Sequence, residues 1–200
     1  MAFPTTPILD DFAGTLGNWT NSQFGDGPLI INAGAVTGGA ALWGGGVWTA
    51  GFGADCESYI TYNVKPTASD DAVIWGRVTG SGGTPTGYNL KMTAFTGAWV
   101  LEKFVAGTPT TLASGTQAIA VGDSIGISVV GASQTAWYKA SGGSWAVLGT
   151  GADTAITAAG QIGLEVFNNV QRLDNFGGGT VTAPVKVFRA IPFMPRGKAA

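Results

Sequence analysis

The stretch Cys56-Glu57-Ser58-Tyr59-Ile60-Thr61-Tyr62-Asn63-Val64 alternates along its whole length. In an extended chain successive side chains point to opposite sides, so Cys56, Ser58, Ile60, Tyr62 and Val64 share one face and Glu57, Tyr59, Thr61 and Asn63 the other. That is a β-strand with one drier and one wetter side. Working outward, residues 71–79 read as a second strand. Residues 88–95 read as a third, with Leu90 and Met92 opposed to Asn89, Lys91 and Thr93. Thr96-Gly97-Ala98 turns the chain into 99–105. Residues 124–130 set Ile125, Ile127 and Val129 on one face, and Gly131-Ala132-Ser133 turns into 134–139. Gly142-Gly143 leads to 145–148, and 161–167 and 172–176 complete the series. Weaker runs lie at 29–31, 33–37, 40–43 and 112–114. About a dozen strands punctuated by Gly, Pro, Asn, Ser and Asp predict an all-β, antiparallel β-sandwich of two packed sheets.

Composition narrows the chemistry. Among 200 residues there is no His, which removes Ser/His/Asp, Cys/His and His-zinc mechanisms. The 33 Gly and 9 Pro would suit disorder, but 45% hydrophobic residues supply a core to bury. A net charge of −2 gives no positive field for nucleic acid or an anionic membrane. Only 11% of residues are charged, against about 25% in ordinary soluble domains, a surface suited to packing against copies of itself or other proteins. The single Cys56 makes no internal disulfide. The opening residues lack a basic and an apolar block, so no secretory signal is expected. The uncharged run 28–54 is too rich in Gly and polar residues to be a membrane span.

The two ends echo each other: Leu9-Asp10-Asp11-Phe12 and Leu173-Asp174-Asn175-Phe176 both read Leu-Asp-x-Phe, which suggests neighbouring strands. Beyond Ala183 the chain is Pro-punctuated and basic, with Lys186, Arg189, Arg196 and Lys198 and no acid. The expected division is an N-terminal extension over 1–7, a sandwich domain over 8–183 and an extended C-terminal arm over 184–200. Val187, Phe188, Ile191, Phe193 and Met194 of that arm are candidate docking residues for assembly, and the four basic residues are too dispersed for a nucleic-acid face.

The run from Gly122-Asp123 to Gly131, then Thr135-Ala136-Trp137-Tyr138, Ala158-Ala159-Gly160-Gln161-Ile162-Gly163-Leu164 and Arg172-Leu173-Asp174-Asn175-Phe176, resembles the second half of concanavalin A-like lectin/glucanase jelly rolls of the laminin-G-like kind. Leu9-Asp10-Asp11-Phe12, Leu16 and Asn18-Trp19-Thr20 are similar to the first strand and turn of such domains in bacteriophage minor virion and tail proteins. The resemblance covers about residues 8–183. It implies a concanavalin A-like jelly roll and a non-catalytic virion component (decoration, fibre or minor tail protein) that forms a homo-oligomer, docks onto other virion proteins and contacts a host surface glycan. It implies localisation in the virion. The alternative is a bacterial lectin-like carbohydrate-binding module or a reduced glycoside hydrolase.

Glucanases of this fold carry alternating carboxylates on one strand face, since retaining hydrolysis needs them about 5–5.5 Å apart. This chain has only Asp55-Cys56-Glu57, without a third acid, so an ordinary polar strand face and no catalytic residue are expected. For sugar stacking the candidates are Trp43 and Trp48, flanking the Gly44-Gly45-Gly46 run as a flexible turn, and Trp137, Tyr138 and Trp145. The bland alternative is that these aromatics fill the space between the sheets. The resemblance further implies a structural calcium where first and last strands meet, with Asp10, Asp11 and Asp174 as its oxygen donors. No other cofactor is expected.

Overall fold

The computed structural model describes residues 3–24, 27–40 and 42–182. The expected arm, with Val187, Phe188, Ile191, Phe193 and Met194, lies outside the described residues. The strands are β1 (Ile8–Asp10), β2 (Trp19–Asn21), β3 (Ile30–Ile31), β4 (Val36–Thr37), β5 (Trp43–Trp48), β6 (Cys56–Val64), β7 (Asp71–Thr79), β8 (Thr86–Thr93), β9 (Ala98–Val105), β10 (Thr108–Thr116), β11 (Ser124–Val130), β12 (Ser133–Lys139), β13 (Trp145–Ala152), β14 (Gln161–Phe167) and β15 (Arg172–Thr180). They form two antiparallel sheets, ordered β13-β12-β11-β6-β15-β4-β3, with β1 also on β15, and β10-β9-β8-β7-β14-β5-β2. No helix among the described residues is long and apolar enough to cross a membrane.

The alternation read in the sequence decides which residues meet between the sheets. Ile60 and Tyr62 of β6 and Ile125, Ile127 and Val129 of β11 are fully buried, as are Ile74, Leu90 and Met92 across from them. Ser58 Oγ donates across the gap to the Trp75 carbonyl at 3.0 Å. The repeated ends do lie side by side: β1 runs antiparallel to β15, with Ile8 opposite Gly177 and Asp10 opposite Phe176. Phe12 and Phe176 are both buried there, and the Trp19 ring sits 4.8 Å from Phe176.

The run 43–48 differs from its expectation. It is strand β5, paired with β14 and β2, not a flexible turn. Its glycines answer close approach: a Cβ on Gly44 would stand 2.6 Å from the Pro28 carbonyl oxygen and 2.9 Å from Gly38 Cα.

One β-bulge redirects a charge into the interior. Between Gly76 and Thr79, β7 spends three residue steps where β8 spends two, and its pairing with β14 slips likewise. Arg77 occupies the bulge at φ 55° and is only 2% exposed. Its guanidinium donates to the carbonyls of Ala54, Ile156 (2.6 Å) and Gly131 (3.0 Å), and lies 3.5 Å from Asp55. At the far edge the two sheets are bridged by Trp99 of β9. A Cβ on Gly115 of β10 would come within 2.8 Å of its indole, and one on Gly149 of β13 within 2.6 Å.

Candidate functional site

Register builds the outer face of the β6 sheet as three cross-strand rows. Glu57, Ser128, Thr135 and Thr150 form one; Tyr59, Gly126, Trp137 and Val147 the next; Thr61, Ser124, Lys139 and Trp145 the third. The middle row has a gap where Gly126 contributes no side chain between Tyr59 and Trp137. Gly177 of β15 leaves similar room beside Tyr59, since a Cβ there would fall 2.1 Å from the phenol ring carbon Cζ.

The chain's own residues 3–6 cross this face. The Phe3 ring enters the Gly126 gap and stacks on Trp137, with centroids 4.7 Å apart and planes at 1°. Trp145 meets Phe3 edge-on at 4.8 Å and Tyr59 does so at 6.3 Å. Glu57 Oε1 accepts from the backbone N–H and hydroxyl of both Thr5 and Thr6, the two Thr6 bonds being 2.8 Å. The Tyr59 hydroxyl donates to the Thr6 carbonyl at 3.1 Å. Burial, then the neighbouring Glu57 carboxylate, pushes the Tyr59 phenol above its ordinary value, so it keeps its proton as a donor.

Two cavities flank the crossing. One, about 330 Å³, is lined by Phe3, Glu57, Ser128, Thr135, Trp137 and Val147 among others. The second, about 460 Å³, is lined by Pro4, Tyr59, Thr61, Ser124, Lys139 and Trp145 among others. Lys139 Nζ lies 5.8 Å from the centroid of the Trp145 ring, and Trp137 Nε1 donates to Ser128 Oγ at 2.9 Å. The face thus offers flat aromatic surfaces, hydroxyls, one carboxylate and one ammonium.

Of the sequence candidates, Trp137 and Trp145 come together here. Tyr138 does not: it faces inward and donates to Asp123 Oδ2 at 2.8 Å, because consecutive strand residues alternate. Trp43 and Trp48 are likewise separated. Trp43 packs at 5.3 Å on Phe167 beside the small cluster around Trp75, while Trp48 meets Trp19 edge-on at 5.6 Å against the main core. They share no platform. Asp55, two residues before Glu57, is engaged by Gly131 N–H at 2.8 Å and by Arg77.

Asp10, Asp11 and Asp174 each accept local hydrogen bonds. Asp10 accepts from Phe12 N–H and Trp19 Nε1, Asp11 from Ala13 N–H and Asp174 from Asn175 N–H. Among the described residues no three acidic, Cys or His side chains gather as a metal-holding group. Burial, and then repulsion from Asp11 and Asp10, raises the Asp174 carboxyl.

Sequence reasoning passed over Tyr59 and Phe3. The signal for Tyr59 was present in the wetter face of 56–64, but Tyr59 reaches Trp137 only through the register across Gly126, which a single chain does not spell out. Nothing in the sequence marks where Phe3 lies.

No family model matches the chain, and no curated protein matches it in sequence. Solved structures do. The carbohydrate-binding module CBM66 from Bacillus subtilis aligns with TM-score 0.65 at 15% identity, over 82% of this chain and 96% of that one. The exoplasmic/lumenal domain of VIP36, in a Ca2+/Man-bound form, aligns with TM-score 0.68 at 10% identity, over 91% and 92%. A legume lectin-like domain from Entamoeba histolytica aligns with TM-score 0.61 at 13% identity, over 82% and 91%. At these identities the likeness concerns the fold, and the chain has the lectin-like, concanavalin A-like jelly-roll sandwich.

Proposed function

We propose that this chain is a non-catalytic, lectin-like carbohydrate-binding module whose site is the outer face of the β6 sheet. The observation that carries the reading is the convergence of Trp137, Trp145 and Tyr59 around a glycine gap, flanked by Glu57, Ser128, Thr135 and Lys139. A pyranose has an apolar face and a hydroxyl rim. Flat indoles take the first, and carboxylate, hydroxyl and ammonium groups the second. The lectin and carbohydrate-binding domains among the structural neighbours support the same reading. The reading of binding without turnover is supported by the engagement of Glu57 with Thr5 and Thr6 and of Asp55 with Gly131 and Arg77, where glycoside hydrolysis uses two cooperating carboxyls.

The virion role expected from sequence rests on residues 184–200 and on the phage resemblance, so the aromatic face favours the carbohydrate-binding alternative. A glycan array followed by calorimetry on the best ligand tests it. Trp137→Ala should weaken binding by about 2 kcal/mol, roughly thirty-fold, as expected for a buried aromatic anchor. Silence of the folded protein on the array, or unchanged affinity in Trp137→Ala, would refute the assignment.

A further inference from the structure

We infer that residues 3–6 are an intramolecular occupant of this cleft, so that a linear oligosaccharide binds along it only by displacing them, whereas a single sugar ring fits beside them. The inference rests on the carbohydrate reading above and concerns what governs access to that site.

The cleft follows β12 from Ser133 to Lys139, seven residues or about 20 Å of strand. One cavity lies toward the Ser133 end, with Val130 and Val181 in its lining, and the other toward the Lys139 end, with Gly122 and Asn175. Phe3 walls the first and Pro4 the second, so the crossing segment divides a single trough in two. Each contact that it makes uses a group that a sugar chain would need. The face of Trp137 is covered by the Phe3 ring, Oε1 of Glu57 is saturated by Thr5 and Thr6, and the Tyr59 hydroxyl is spent on the Thr6 carbonyl.

Gly126 shows that the fit belongs to the sheet as well as to the segment. A methyl group there would stand 2.4 Å from Phe3 Cζ and 2.6 Å from Phe3 Cε1. The segment is a competitor held by stacking and hydrogen bonds. A bound-competent population that is only a fraction of the whole weakens apparent affinity by that fraction.

The test compares the full chain, Phe3→Ala, a form lacking residues 1–6 and Trp137→Ala. Each is titrated calorimetrically with soluble hexasaccharides of β-1,4-glucan, β-1,3-glucan, xylan and mannan, and with the matching monosaccharides. Thermal melts establish that each variant is folded. Relative to the parent, Phe3→Ala and the shortened form should gain at least ten-fold more in hexasaccharide affinity than in monosaccharide affinity. If the parent and Phe3→Ala bind the hexasaccharide equally and Trp137→Ala loses it, the site reading stands and the competition is overturned. If none of the four proteins binds any hexasaccharide, both fall.

Discussion

Replacing Arg77 by Met keeps most of the aliphatic stem and removes the guanidinium that the β7 bulge turns inward. The consequence can be worked from its partners. Three backbone carbonyls, of Ala54, Ile156 and Gly131, lose their donor, and each unsatisfied buried acceptor costs about 1–3 kcal/mol. The Ile156 bond is buried and the other two only partly so, so water recovers some of that loss and the net falls near about 3–5 kcal/mol. The ion pair adds little, because the Asp55 side chain is 44% exposed at 3.5 Å and screened by solvent. Equilibrium urea unfolding followed by Trp fluorescence should give that loss for Arg77→Met. Asp55→Asn should cost under about 1 kcal/mol, both with unchanged slope. For a domain of this size the Arg77→Met loss lowers Tm by about 6–20 °C. An Arg77→Met cost below about 1 kcal/mol, or an Asp55→Asn cost equal to it, would refute the view that a three-carbonyl clamp, and not the ion pair, holds these loops.

Two further outcomes follow from the packing. Gly177→Ala puts a methyl 2.1 Å from Tyr59 Cζ and should cost about 1–3 kcal/mol through overpacking; a denaturation midpoint unchanged within error would show that the ring moves freely. Asp153 receives Lys103 Nζ and the Tyr88 hydroxyl, each at 2.7 Å. Partial burial alone would raise its carboxyl, but the Lys103 and Tyr88 hydrogen bonds outweigh it and hold the group below the ordinary value. The stability it confers is therefore present above the usual carboxylate range near about 4 and lost as pH falls through the lowered folded value. The urea-midpoint gap between the parent and Asp153→Asn should narrow from about pH 7 to about pH 2, and a constant gap would contradict the assignment.

How far the sequence reached depended on whether a feature repeats locally. The alternation of 56–64 and of Ile125, Ile127 and Val129 placed those side chains correctly, because period two survives wherever a strand is regular. It does not carry through Arg77, where one extra residue flips the face of the strand beyond it, and nothing in Trp75-Gly76-Arg77-Val78 announces a bulge. Glycines misled in a similar way. Gly44 to Gly46 looked like a hinge and proved to be a strand core pressed by neighbouring backbone. For the site, Trp137 and Trp145 were identifiable as aromatics near a tight turn, whereas pairing Trp137 with adjacent Tyr138 overlooked that neighbours in a strand face apart. Tyr59 joins them only across Gly126, a relation between strands nearly eighty residues apart.

The indole of Trp99, gripped between Gly115 and Gly149, makes three positions on three strands a single heritable unit. Any side chain at either glycine needs the indole to shrink, and a smaller residue at 99 leaves a slot that those glycines no longer need to keep clear. Homologous chains should therefore either retain all three residues or exchange them in concert, a covariation that would trace this seam through sequences too diverged to align elsewhere.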